Sequence, residues 1–160
     1  MLGLGQEWLG GNLQHQAGGG HKVNFFKDAL LKYREIEDLI VMFVDSYDVI
    51  LIGNELNILE QFYKLNAKVI FSAENFCWPD PSLEKVYPEI FVGKRFLNSG
   101  GFIGYAPSLF EIVNQSKIDN LDDDQLYYTK IYLKESLRKH LNIKLDHKAN
   151  LFQVFSLKIY

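Results

Sequence analysis

A single cysteine, Cys77, in a chain of 160 residues leaves no partner for an internal disulfide and cannot build a cysteine-rich zinc site. Histidine is almost as sparse, and His15, His21, His140 and His147 show no pairwise spacing suited to a metal. No apolar run approaches the roughly 20 residues that span a bilayer, and residues 1–11 have neither the basic flank nor the apolar core of a signal peptide. Positive charge is also short: 17 Lys and Arg against 20 Asp and Glu give a net charge of −3. The cations are scattered rather than gathered into a stripe, which argues against a nucleic-acid partner. The glycine stretch ending in His21-Lys22 fails the GxxxxGK[ST] spacing of a phosphate loop, and Gly3-Leu4-Gly5 lacks the third glycine of a dinucleotide fingerprint. No serine or cysteine has a base near it in sequence, so nucleophilic hydrolase chemistry is not indicated. Repeats, heptads and dividing linkers are likewise missing.

What remains is rich in core-forming material, 48% hydrophobic and 14% aromatic, enough for one domain. Residues 39–44, Leu-Ile-Val-Met-Phe-Val, form a short apolar run that predicts a strand buried on both faces, as in a parallel sheet. A helix is expected over residues 23–36, and another over 54–65 with Leu56, Leu59, Phe62 and Leu65 at helical spacing. Residues 68–72 return as a strand, completing a β-α-β unit. A third strand is expected at 101–105, a helix at 107–114, and a longer helix at 122–140 with Leu126, Leu133 and Leu137 on one face. Gly10-Gly11 and Gly18-Gly19-Gly20 read as loop. Alternating strands and helices give an α/β sandwich. The chain opens in loop sequence where such a sheet would open with a strand, and it ends at 156–160 where a further element would close an exposed edge.

Chemistry concentrates in a few places. Asp45 and Asp48 stand three residues apart where the first strand runs out, and α/β sheets bind ligands at the carboxyl ends of their strands. Hard oxygen ligands of this kind suit magnesium or manganese on a diphosphate; equally, two aspartates can simply end a strand and begin a turn. Asp122-Asp123-Asp124-Gln125 opens the long helix, where acidic side chains favour the positive end of the dipole. The run lacks the glycine and ligand alternation of a calcium loop. Backbone amides near Gly20 together with Lys22 can meet a diphosphate, or the segment is plain flexible loop. Asn98-Ser99-Gly100-Gly101 permits a tight turn or a close substrate approach. Trp78 offers an aromatic face to a sugar or base, or else packs on the core. Asn114-Gln115-Ser116 fits an N-glycosylation acceptor, relevant only in a secretory protein.

These segments together resemble the N-terminal glycosyltransferase region of procollagen lysyl hydroxylases. The likeness runs from Leu2 to about Gln153. It rests on Leu2-Gly3-Leu4-Gly5-Gln6-Glu7-Trp8, Gly18-Gly19-Gly20-His21-Lys22-Val23 and residues 42–51 around Val44-Asp45-Ser46-Tyr47-Asp48. It continues through Phe71-Ser72-Ala73-Glu74-Asn75-Phe76-Cys77-Trp78-Pro79, residues 93–104 around Asn98-Ser99-Gly100-Gly101, Asp122-Asp123-Asp124-Gln125-Leu126 and Leu145-Asp146-His147-Lys148. The resemblance implies a GT-A-type, Rossmann-like nucleotide-sugar fold over residues 1–153. The implied activity is transfer of galactose or glucose from a UDP-sugar to hydroxylysine or galactosyl-hydroxylysine of collagen. It also implies that Asp45 and Asp48 hold Mn2+ on the UDP diphosphate, that Tyr47 and Trp8 contact the uridine, and that Lys22 lies near the phosphates. Trp78, Glu74, Asn98, Asp123 and Asp124 would line the pocket for sugar and acceptor. The implied compartment is the lumen of the endoplasmic reticulum.

The pattern departs from the family in several places. The opening strand is absent, as is a third metal ligand that the family supplies from a downstream His-Gly-Asn-Gly segment. Leu121 stands where another acid is expected, and residues 154–160 form a divergent tail. The iron and 2-oxoglutarate dioxygenase domain is missing, so lysyl hydroxylation by this stretch alone is not expected, and any oligomer would form through domains outside it. A non-catalytic fragment or a scaffolding module is the alternative.

Overall fold

The computed structural model describes residues 1–13 and 17–155; His15 and residues 156–160 of the expected tail lie outside the described residues. The elements run α1 (Gly20–Leu30), β1 (Ile40–Val44), α2 (Glu55–Leu65), β2 (Val69–Glu74), a 3-10 helix (Pro81–Val86), β3 (Phe96–Tyr105), α3 (Ala106–Val113), α4 (Asp124–Leu133), α5 (Glu135–His140) and β4 (Ile143–Leu145). The α/β class is as expected, but the sheet is mixed. Its order is β1-β3-β2-β4, with β3 antiparallel to both β1 and β2 and only β2–β4 parallel. β1 and β2 therefore point the same way, as a β-α-β unit requires, yet β3 is inserted between them. Hydrophobic patterning reports how apolar a strand is and says nothing of its neighbours.

β1 corrects a second expectation. All five residues are half-buried rather than enclosed, because among the described residues β1 pairs on one edge only. Its two faces pack unequally: Phe43 stacks on Phe102 across the strands at 4.8 Å, while Ile40, Met42 and Val44 turn to a smaller cluster around Phe62, Ile70 and Ile103. That smaller cluster sits beneath α2. Its Asn54 cap accepts the Asn57 amide at 3.0 Å, and the helix ends at Asn66 in left-handed conformation. Phe62 is its buried anchor, worth about 1.5–3 kcal/mol by area, whereas Leu56 is exposed.

The opposite face carries the main core, where α1, α3 and α4 cover Val69, Phe71, Leu97 and Phe102. The long helix expected at 122–140 is two, broken at Lys134, whose ψ of 99° is extended. Its buried face is not leucine: Tyr127, Tyr128, Ile131 and Tyr132 face inward, and Leu126, Leu133 and Leu137 are only half-buried. Tyrosine is tolerated there when its hydroxyl finds a partner, as Tyr127 does on the Ile112 carbonyl at 3.0 Å.

β3 begins earlier than expected and contains the segment Asn98-Ser99-Gly100-Gly101 that had read as a turn. Its register against β2 breaks here. Phe71 pairs with Phe102 but Ser72 pairs with Asn98, so Ser99, Gly100 and Gly101 have no partner on β2, while Gly101 still pairs with Val44 of β1. This bulge interrupts the β2–β3 ladder midway along β2 and lies against the carboxyl end of β1. It is also where the polar side chains gather.

Candidate functional site

Asp45 leaves β1 with its amide donating to the Gly100 carbonyl at 2.9 Å, which ties it to the bulge. From α1, Lys22 reaches the same place. Its Nζ lies 3.2 Å from Asp45 Oδ1 and 2.8 Å from Asp124 Oδ2 at the first turn of α4. Three elements thus converge on one ammonium. Burial pulls the Lys22 pKa down, but Asp124 and Asp45 outweigh it and the net shift is upward. Burial also pushes Asp45 up, and here Lys22 does not fully offset it. The two shifts are compatible because the shorter contact, and the greater share of Lys22, belongs to Asp124.

The approach of α1 depends on glycine. Gly19, at φ 98°, has Asp124 Oδ1 2.9 Å from where a Cβ would stand, and at Gly20 a Cβ would meet the Asp119 carbonyl at 2.0 Å. The residues read as loop therefore seat the helix against the acidic segment, and α1 begins at Gly20 rather than at residue 23. The amides of Gly19, Gly20 and His21 are consumed by the carbonyls of Gly10, Asp122 and Asn120 at 3.1, 2.8 and 3.1 Å. Those three amides already have partners, and the Lys22 side chain is the cation of this segment. This corrects the reading in which the glycine amides themselves contribute.

On the other side of the bulge, Glu74 at the end of β2 accepts from Gln125 Nε2 at 2.7 Å and from Asn98 Nδ2 at 3.3 Å. Burial outweighs these donors and pushes the Glu74 carboxyl up. Gln125 also donates to the Trp78 carbonyl at 3.2 Å and accepts the Ser99 amide at 3.0 Å. Asp123 caps α4 by accepting the Leu126 amide at 2.6 Å, as an acidic helix start suggested, and burial raises its pKa. Trp78 is 56% exposed, so it is not the core residue that packing statistics favour. A recess of about 170 Å3 is lined by Leu13, Ala17, Gly18, Trp78, Ser99, Asp123, Asp124 and Gln125. A larger open hollow of about 540 Å3 over Asp28, Ala29, Leu31, Lys32 and Arg34 gathers none of these residues.

The structure brings together Lys22, Asp45, Glu74, Asn98, Asp123 and Asp124, with Trp78 at the recess. Tyr47 and Asp48 are exposed beyond Asp45, with Asp48 near enough to act on the Asp45 charge. Trp8 is held apart on its own shelf: its Nε1 donates to the Gly11 carbonyl at 2.6 Å and its ring lies 5.4 Å from His21, which lies 4.0 Å from Phe25. His21 is buried and accepts the Leu9 amide through Nδ1 at 3.0 Å; it, Gln125 and Ser99 stand within the motif blocks but were given no site role from sequence. Their signal, a polar residue flanked by motif residues, is visible only once the partners are known.

A family model for the PLOD GT domain matches residues 1–159. The chain belongs to this family. The PLOD GT domain is the glycosyltransferase domain of the lysyl hydroxylases, as the motif blocks implied, and its mixed sheet is of the GT-A-like type. The chain is 54% identical over 152 residues to the rat protein described as multifunctional procollagen lysine hydroxylase and glycosyltransferase LH3, covering 95% of this chain and 20% of that protein. It is 45% identical over 156 residues to mouse procollagen-lysine,2-oxoglutarate 5-dioxygenase 2, covering 98% and 21%. To the Caenorhabditis elegans multifunctional procollagen lysine hydroxylase and glycosyltransferase it is 46% identical over 155 residues, covering 96% and 21%. The chain spans about a fifth of the length of these relatives. No described helix is long and apolar enough to cross a membrane.

Proposed function

We propose that this PLOD GT domain binds a UDP-sugar, UDP-galactose or UDP-glucose, across the β3 bulge and, within a full-length protein of the endoplasmic reticulum lumen, donates the hexose to hydroxylysine or galactosyl-hydroxylysine of collagen. The observation that carries this reading is the meeting of Lys22, Asp45 and Asp124 beside a recess lined by Trp78 and Asp123. The recess, about 170 Å3, is smaller than whole-ligand pockets usually are and suits a sugar ring. The nucleotide then lies over the open surface towards Tyr47 and Trp8.

The donor set fits a hard divalent cation. Asp45 and Asp48 offer carboxylate oxygens at a strand end, and the charge of Asp45 is already met by a cation, the Lys22 ammonium, in the free protein. Asp45 and Asp48 are the residues that would hold Mn2+, which when bound offsets the negative charge that develops on the departing diphosphate. The chain's own residues do the rest. Lys22 presents a cation to the phosphates. Trp78 offers a ring face to the sugar. Asp124 and Glu74 supply negative charge for an oxocarbenium-like sugar, with Asn98 and Gln125 fixing the Glu74 carboxylate.

Calorimetric titration with UDP, with and without manganese, tests the reading. The wild-type domain is expected to bind UDP in a manganese-dependent way and the Asp45→Ala/Asp48→Ala double variant to lose that dependence. Unchanged affinity in the double variant sinks the metal assignment. Manganese-dependent binding without hexose transfer to collagen peptides favours a binding module instead.

A further inference from the structure

The segment Asn114-Gln115-Ser116 takes no part in the site, and it is the one Asn-x-Ser/Thr triplet in the sequence. Its middle residue is not proline, which the motif requires. The fold places it on the surface. α3 closes with Ile112 and Val113 packed inward at 1% and 2% exposure, and Asn114 follows at the C-cap with both Asn114 and Ser116 exposed. From there an irregular segment runs to the α4 cap at Asp123. The base of this segment is pinned from below, since the buried Tyr127 hydroxyl donates to the carbonyls of Ile112 and Ser116 at 3.0 and 3.3 Å. Asn114 Nδ2 makes one bond of its own, to the Phe110 carbonyl at 2.7 Å. A primary amide has two N–H groups and an N-linked sugar replaces one, so that bond is compatible with modification. No buried side chain has to move.

We propose that Asn114 is an acceptor for an N-linked oligosaccharide. The proposal rests on the luminal compartment stated above, and its donor class is a lipid-linked oligosaccharyl diphosphate. Asn114 Nδ2 forms a bond to the anomeric carbon, the bond from that carbon to the diphosphate oxygen breaks, the diphosphate leaves with the electron pair and the amide gives up one proton. Nothing is oxidised or reduced. None of the residues lining the recess, and neither Lys22 nor Asp45, falls within residues 110–118. The acceptor is therefore not itself part of the recess or of the Lys22–Asp45 pair.

The test directs the full chain into the endoplasmic reticulum of a eukaryotic cell behind a grafted leader and reads intact mass before and after treatment with an N-glycan-cleaving amidase. A loss of mass with conversion of Asn114 to Asp is expected, absent in Asn114→Gln and Ser116→Ala and retained in Ser116→Thr. Asn114→Gln is expected to bind UDP with unchanged affinity. A protease-protected luminal chain that carries no glycan overturns the proposal, and so does a glycan that persists in Asn114→Gln. The compartment is read separately by fractionating the native source: native protein found only in the cytosol overturns the luminal reading, and the acceptor assignment is then decided by the directed chain.

Discussion

Replacing Lys22 by Met removes the cation between Asp45 and Asp124 while keeping the length of the side chain. The two carboxylates each lie within 3.2 Å of the Lys22 nitrogen, so once it is gone two negative groups face each other across about 6 Å or less. At an effective dielectric near 20 that repulsion is about 3 kcal/mol, and in bulk water less than about 1. The Asp124 side chain is only 10% exposed and Asp45 34%, which puts the site between these limits. A loss of about 1–3 kcal/mol is therefore expected, in line with removal of one partner from a partly buried pair. Urea denaturation at neutral pH, with the slope checked for constancy, measures it. Lowering the pH until Asp45 protonates should recover part of the loss. Adding manganese should stabilise Lys22→Met more than the wild type, because the divalent cation replaces a missing charge in one and competes with a resident one in the other. A variant as stable as the wild type at neutral pH would refute the claim that the ammonium is what lets these carboxylates converge.

Two further outcomes follow from carboxylates that folding takes partly or wholly out of water. Folding favours the protonated form of Glu74, because burial raises its pKa despite the donors Gln125 and Asn98; that contribution is complete below its ordinary value and is lost as pH climbs through the raised one. Glu74→Gln should thus be at least as stable as the wild type at neutral pH and show a flatter stability profile across that window, measured by denaturation at a series of pH values. Asp146, 1% exposed, accepts the amides of Asn150, Leu151 and Phe152 at 2.9, 2.7 and 2.9 Å. Asp146→Ala is expected to cost about 3 kcal/mol and to lower the melting temperature by roughly 6–12 °C in calorimetry; an unchanged melting temperature contradicts the role of that carboxylate as a clamp.

Elements that form from local pattern were readable in advance. The apolar run of β1, the capped helix α2 and the return strand β2 all announce themselves, since each is specified by residues within a few positions of one another. Long-range facts were not readable. The place of β3 between β1 and β2 depends on which strand edges meet, and the helical start at Gly20 depends on the Asp119 carbonyl almost a hundred residues away. The tyrosine face of α4 does not show in the leucine spacing, because the polarity of its hydroxyls is cancelled by partners on other elements, such as the Ile112 carbonyl for Tyr127 at 3.0 Å. The residue types of the site were readable from spacing and family resemblance; that Gln125 links Glu74, Trp78 and Ser99 was not, because a glutamine has no pattern of its own.

The stretch Ser99-Gly100-Gly101, which has no partner on β2, gives the domain a ruler. Gly100 fixes Asp45 on one side, while Asn98 and Ser99 fix Glu74 and Gln125 on the other. The distance from the Asp45 half to the Glu74 half is thus a length of covalent backbone, which stretches far less than any side-chain contact. On the proposed function, substitutions around the rim would alter which sugar is held without altering how far it sits from its diphosphate. Inserting or deleting one residue in the bulge would change that span itself, and with it, on the same reading, the fit of every donor at once.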